Sequence, residues 1–87
     1  MAFYSTISYY YDDIFPYNEA QLKFVKSFLL PLAHRTILDI GCASGSLSLH
    51  LAKAGFDVSA IDFDEIMIRI AKLKQKEMGV HVNFNQM

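Results

Sequence analysis

Leu22, Val25 and Leu29 recur at helical spacing with Phe24 and Phe28 beside them. A stripe at i, i+3, i+4 and i+7 predicts a helix with one face to bury. Asn18 opens it, because its side chain can accept from free backbone N–H groups, and Gln21 three places on completes a capping-box pattern. Pro31 ends it, since proline offers no N–H and disfavours helical geometry in the residue before it. Thr36–Ile40 is short and mostly apolar, which predicts a strand, and runs into the small-residue turn Gly41-Cys42-Ala43-Ser44-Gly45. A helix follows from about Ser46 to Ala54, carrying Leu47, Leu49 and Leu51, with Gly55 as its stop. Asp57–Asp62 predicts a second strand. Asp64 can cap another helix, in which Ile66, Met67, Ile70, Leu73 and Met78 recur and which Gly79 closes. Val80–Phe84 alternates apolar and polar, as a third, half-covered strand would.

The order helix, strand, helix, strand, helix, strand implies right-handed crossovers and a parallel sheet. The expected class is α/β: a partial Rossmann-like parallel sheet of about three strands with flanking helices. Three strands are half of such a sheet, and nothing in the sequence lies on the far side of the first strand. Its exposed edge is a place for self-association. The chain divides into an aromatic N-terminal arm, residues 1–17, and residues 18–87. All five tyrosines lie in the arm, as Tyr4, Tyr9, Tyr10, Tyr11 and Tyr17. They show no clean period, which suggests an irregular or partly helical arm that needs another surface to cover it.

Composition narrows the classes without choosing among them. In 87 residues, 53% are hydrophobic and 20% charged, which is globular and not disordered. A net charge of −1 gives no field for nucleic acid or an anionic membrane. Arg69, Lys72, Lys74 and Lys76 cluster at helical spacing and read as a solvated helix face. The single cysteine excludes an internal disulfide framework. Phe28–Ala33 is too short an apolar run to span a bilayer, and the opening residues show no signal-peptide pattern. The expectation is a cytoplasmic protein.

Candidate chemistry sits in two places. At Leu38–Gly45, a strand ends in glycine and enters a helix through small residues, so a ligand can approach the backbone closely. The helix start then offers free N–H groups to a negative group. At the end of the next strand, Asp62 can accept from the vicinal hydroxyls of a ribose. Two such features one crossover apart are far more specific than either alone.

These residues also carry a family resemblance. Leu38–Gly45 resembles the first motif of class I S-adenosylmethionine-dependent methyltransferases, an acid followed by alternating glycines. Val58-Ser59-Ala60-Ile61-Asp62-Phe63-Asp64, with Ile66-Met67 and Ala71, resembles the segment around that family's ribose-binding acid. Ala43 departs from the pattern, standing where the middle glycine is expected. The resemblance implies residues 18–87 as the N-terminal half of a Rossmann-like methyltransferase domain, S-adenosylmethionine as cofactor and methyl transfer to an acceptor, a small molecule being favoured. It implies Asp39 orienting the methionine end, Gly41, Cys42, Ala43 and Gly45 forming the close-approach turn, Asp62 holding the ribose, and Phe63 and Met67 near the adenine.

Other readings stay open. Asp39 can instead stabilise the turn, Cys42 fits a small apolar filler better than a nucleophile, and Phe63 and Met67 suit core packing equally. Tyr9, Tyr10 or Tyr11 could line a lid over the cofactor. Asp12-Asp13 reads as a turn or solvated loop. His34, His50 and His81 are dispersed without ligand spacing, so no metal site is expected. Two functional alternatives remain: a non-catalytic cofactor-binding or interaction module, and a nicotinamide-dependent oxidoreductase. The latter's Gly-x-Gly-x-x-Gly fingerprint is unmet, because Ala43 and Ser46 hold its second and third positions.

Overall fold

The computed structural model describes residues 10–29 and 35–87. Their elements are α1 (Tyr11–Ile14), α2 (Glu19–Leu29), β1 (Thr36–Ile40), α3 (Ser46–Lys53), β2 (Asp57–Asp62), α4 (Glu65–Met78) and β3 (Asn83–Gln86). The strands form one parallel sheet in the order β1-β2-β3, with Ile37 opposite Val58 and Ala60 opposite Phe84. This is the α/β, Rossmann-like arrangement expected from alternating strands and helices.

Local chemistry sets the helix limits. Asn18 Oδ1 accepts from the backbone N–H groups of Ala20 and Gln21 at 2.9 and 3.3 Å, which starts α2. Asp64 Oδ1 accepts from Ile66 N and Met67 N at the head of α4, and Gly79 ends that helix in a left-handed conformation. Pro31, the expected stop of α2, lies outside the described residues.

Sequential strand order with crossovers of one hand puts α3 and α4 on the same face of the sheet, where they meet each other, and α2 packs against α3. Leu49, Leu51, Val58, Ala60, Ile68, Ala71, Val82 and Phe84 form the core between them. The opposite face is different. Leu38 and Ile40 of β1 are 59% and 73% exposed, and among the described residues the outer edge of β1 has no partner strand.

The third strand corrects the expected range of Val80–Phe84. Val80 N donates to Gln75 O and Val82 N to Gln75 Oε1, so the end of α4 claims these N–H groups. The ladder begins only at Asn83, opposite Ser59. The alternation was real, since Val82 and Phe84 are both buried, but it describes burial and not pairing.

Candidate functional site

The bend between β1 and α3 is tied to the end of β2. Gly41 N and Cys42 N both donate to Ile61 O, at 2.8 and 3.0 Å. Ala43 N donates to Asp62 Oδ2 at 2.8 Å, and Asp64 N to Asp62 Oδ1 at 2.9 Å. The Asp62 carboxylate therefore faces the bend, is only 5% exposed, and has accepted one backbone hydrogen bond on each oxygen. Each oxygen keeps a further lone pair. Asp62 is thus also the anchor of the turn, a task that spacing alone did not reveal.

Ala43 explains why glycine is the expected residue there. Its φ is +52°, in the left-handed region, where a Cβ costs about 1–2 kcal/mol. The hydrogen bond to Asp62 holds it in that conformation. Gly41 and Gly45 also have positive φ, at 75° and 83°, but for different ends. A Cβ on Gly41 would meet nothing within 4 Å. A Cβ on Gly45 would lie 2.7 Å from Phe84 Cζ and 3.0 Å from the Ala71 Cβ. Gly45 accordingly serves the packing of α3's start on β3 and α4, and the expectation that its bareness admits a ligand is corrected: Phe84 and Ala71 already occupy that space.

On the open side of the bend lies a cavity of about 220 Å³. Asp39, Gly41, Cys42, Ala43, Ser44, Ser46 and Leu47 form one wall, and Tyr11, Phe15, Pro16, Tyr17, Asn18 and Gln21 of the arm and early α2 form the other. Asp39 is fixed by the Ser48 hydroxyl, which donates to its Oδ2 at 2.5 Å from a fully buried position on α3. Serine at this point of the helix faces the acid across the strand-to-helix turn, a pairing for which the sequence gives no distinctive sign.

The described part of the arm, residues 10–17, is held at two points. Asp12 accepts from the Ser44 hydroxyl through Oδ1 and from Lys74 Nζ through Oδ2, the latter at 2.9 Å. Lys74 Nζ also donates to Ser46 Oγ at 2.7 Å. Farther along, the Tyr17 ring stacks on His50 of α3, with centroids 3.7 Å apart and planes 8° from parallel. These contacts correct two expectations. Asp12, although partly exposed, is a helical residue tied to the bend and to α4, and Lys74 is not part of a solvated face: its side chain is 21% exposed, with a carboxylate and serine hydroxyls around it. Arg69 does fit the expected exposed face, pairing with Glu65 one turn away.

The remaining candidates divide. Cys42 lines the cavity, but partial burial, then the Asp39 and Asp62 carboxylates, push its thiol up to about 12, which removes the thiolate needed for a nucleophile. Phe63 is exposed at the end of β2, whereas Met67 is 0% exposed and presents no surface to a ligand, which fits its core-packing reading. Tyr11 lines the cavity, and burial followed by the Asp12 and Asp62 charges raises its hydroxyl pKa, keeping it a neutral donor. Tyr10 is exposed and outside the cavity wall, while Tyr9 lies outside the described residues. Tyr17 belongs to the wall and was not among the lid candidates. Among the described residues no group of His, Cys, Asp or Glu could hold a metal ion, and no helix is long and apolar enough to cross a membrane.

Residues 37–87 match the family model of a methyltransferase domain, which is more than half of the chain. The ubiquinone biosynthesis O-methyltransferase of Hydrogenovibrio crunogenus is 40% identical over 68 residues, covering 78% of this chain and 28% of that protein. Magnesium protoporphyrin IX methyltransferase from Synechocystis PCC 6803, solved with bound SAM, superposes with a TM-score of 0.65 at 31% identity, over 78% of this chain and 36% of that one. The PH0226 protein from Pyrococcus horikoshii OT3 gives a TM-score of 0.72 at 28% identity, over 79% and 30%. The chain therefore spans about a third of the length of the proteins it matches.

Proposed function

Since the chain belongs to the methyltransferase-domain family, we propose that its cavity and bend seat S-adenosylmethionine for methyl transfer to an acceptor, a small molecule by preference. The observation that supports this most strongly is the joint geometry of bend and acid. Bare backbone at Gly41 lines the cavity, and the Asp62 carboxylate, buried just outside that lining, is bonded to the same turn through Ala43 N. The cavity is smaller than the ~300–1,000 Å³ of sites that enclose a whole drug-sized ligand. It suits the amino-acid end of the cofactor, with the nucleoside lying over the exposed ends of β1 and β2.

In this reading Asp39, pre-oriented by Ser48, accepts from the methionyl ammonium. Asp62 receives the ribose hydroxyls on its remaining lone pairs, and Phe63 covers the adenine. Tyr11 and Tyr17 close the amino-acid end from above and exclude water from it. The cofactor supplies an electrophilic methyl on a sulfonium, and the protein's contribution is alignment with the acceptor and desolvation. A cytoplasmic location accords with this chemistry.

Isothermal titration of S-adenosylhomocysteine into the 87-residue chain tests the reading. Saturable binding is expected, weakened about tenfold in Asp39→Asn, with no heat from NAD. Preference for NAD, or indifference to Asp39→Asn, would overturn it.

The outer edge of β1, which has no partner strand among the described residues and has Leu38 and Ile40 exposed beside it, supports a second reading in which the chain also self-associates through that edge. Sedimentation velocity checks it: Leu38→Lys should shift an oligomer to monomer, and a wild-type monomer at high micromolar concentration would dismiss it.

A further inference from the structure

We propose that Lys74 is a positioning residue, a latch that holds residues 10–17 of the arm closed over the mouth of the cavity by gripping Asp12. The inference rests on the cavity being the ligand seat, but the latch itself is a property of the protein alone.

The arm crosses from α1 to α2 with Phe15 and Pro16 over the cavity and Tyr11 and Tyr17 in its wall. A helix of four residues has no stability of its own. No residue of α1 is fully buried, and Tyr11 is the α1 side chain that enters the cavity wall. Among the described residues, the side-chain hydrogen bonds that tie it to the rest of the chain are those of Asp12. Asp12 uses both carboxylate oxygens, one toward Ser44 in the bend and one toward Lys74 on α4. Lys74 places its donors on Asp12, Ser44 and Ser46 together, joining the arm, the bend and the start of α3 at one ammonium. The ion pair is half-screened, since the Lys74 and Asp12 side chains are 21% and 42% exposed. A pair of this kind can be opened without unfolding the core, which is what a movable strap requires. At the other end the Tyr17–His50 stack is close to face-on, so the arm has an ionic clasp at one end and a stacked one at the other. Release of the ionic clasp frees α1 and the Phe15–Pro16 span while Tyr17 remains as the hinge side.

The latch also couples the arm to the bend. Ser44 and Ser46 belong to the same bend whose backbone faces the cavity, so the charge that closes the arm also braces the turn beneath it.

Limited digestion with chymotrypsin reads the strap directly, because Tyr11 and Tyr17 are cleavage sites within it and cleavage at low protease follows the open population. In the ligand-free chain, Lys74→Met should speed cleavage at these sites at least fivefold. Lys74→Arg, which keeps a cation, should stay within about twofold of wild type. Asp12→Asn should match Lys74→Met, and the double variant should be cut no faster than either single one, because both remove the same contact. Raising salt should speed wild-type cleavage and leave Lys74→Met unchanged. Circular dichroism of each variant verifies that the core is folded, and Asp12→Asn, distant from the core, carries the test should Lys74→Met lose its fold. Wild-type cleavage rates in both single variants, or additive acceleration in the double, would overturn the latch. S-adenosylhomocysteine should slow cleavage of the wild-type arm. A chain in which it has no effect while the variants behave as stated would retain the latch and lose the cofactor reading.

Discussion

The two ends of one five-residue bend use the same residue for opposite purposes. At Gly41 the backbone is bare and the space beside it is open, so the missing side chain leaves room for something the protein does not supply. At Gly45 the space is filled by Phe84 and Ala71, so the missing side chain lets the protein close on itself. Both glycines have a positive φ, and neither conformation nor motif distinguishes them. Only what lies opposite does. The cavity side of the bend is held by polar contacts to α1 and Lys74, and the core side by packing against α4 and β3.

That contrast can be broken most violently at Gly45. Gly45→Ala combines a strained φ with overlap against an aromatic ring, and should cost about 3 kcal/mol or more. In so small a domain this leaves most of the chain unfolded by circular dichroism at 25 °C. Gly41→Ala meets only the conformational penalty, about 1 kcal/mol, and should fold while losing affinity for S-adenosylhomocysteine. Equal destabilisation of the two variants would erase the distinction.

Asp62→Asn comes next. A carboxylate accepts on both oxygens, whereas an amide has one oxygen and must turn its NH₂ toward either Ala43 N or Asp64 N. A loss of about 1–3 kcal/mol in urea denaturation is expected. Ser48→Ala leaves the core filled but deprives Asp39 of its buried donor. Its effect should fall on ligand affinity, by about five- to tenfold, with a smaller change in stability. Ala43→Gly removes the strain at φ +52° and should stabilise the chain by about 0.5–1 kcal/mol, net of glycine's greater freedom when unfolded.

The smallest effect concerns pH. The folded Cys42 thiol is raised from 9.0 to about 12, so it binds its proton more tightly than the unfolded chain does. The associated stability is complete below pH 9 and is lost as pH rises from there toward about 12. At pH 8 iodoacetamide should therefore label Cys42 at least tenfold more slowly than it labels the urea-unfolded chain, and Cys42→Ala should retain ligand binding. Labelling at the unfolded rate would place the thiol outside the environment described.

Most of the fold was legible because its signals are local. Asn18, Asp64 and Gly79 mark helix ends through bonds or angles within a few residues, and the apolar periods of α2, α3 and α4 follow from which face is covered. The bend and Asp62 were legible as a pair because their types and order suit a nucleotide-like ligand. What the sequence hid depends on distance along the chain. Lys74 and Asp12 are 62 positions apart, and each alone resembles an ordinary surface charge. Gly45 looks like Gly41 until Phe84 is seen opposite. The strand expected at Val80 began three residues later because a glutamine on the preceding helix had taken the N–H groups that a ladder would use.

The central claim is that a ligand sits on the open side of the bend and not elsewhere on the molecule. Amide chemical shifts of the ¹⁵N-labelled chain, followed through a titration with S-adenosylhomocysteine, test it most directly. Saturable shifts should concentrate at Gly41, Cys42 and Ala43, at Asp62 and Phe63, and along the arm from Tyr11 to Tyr17, with the outer face of α4 silent. Shifts confined to α4 and β3, or none that saturate, would contradict the account.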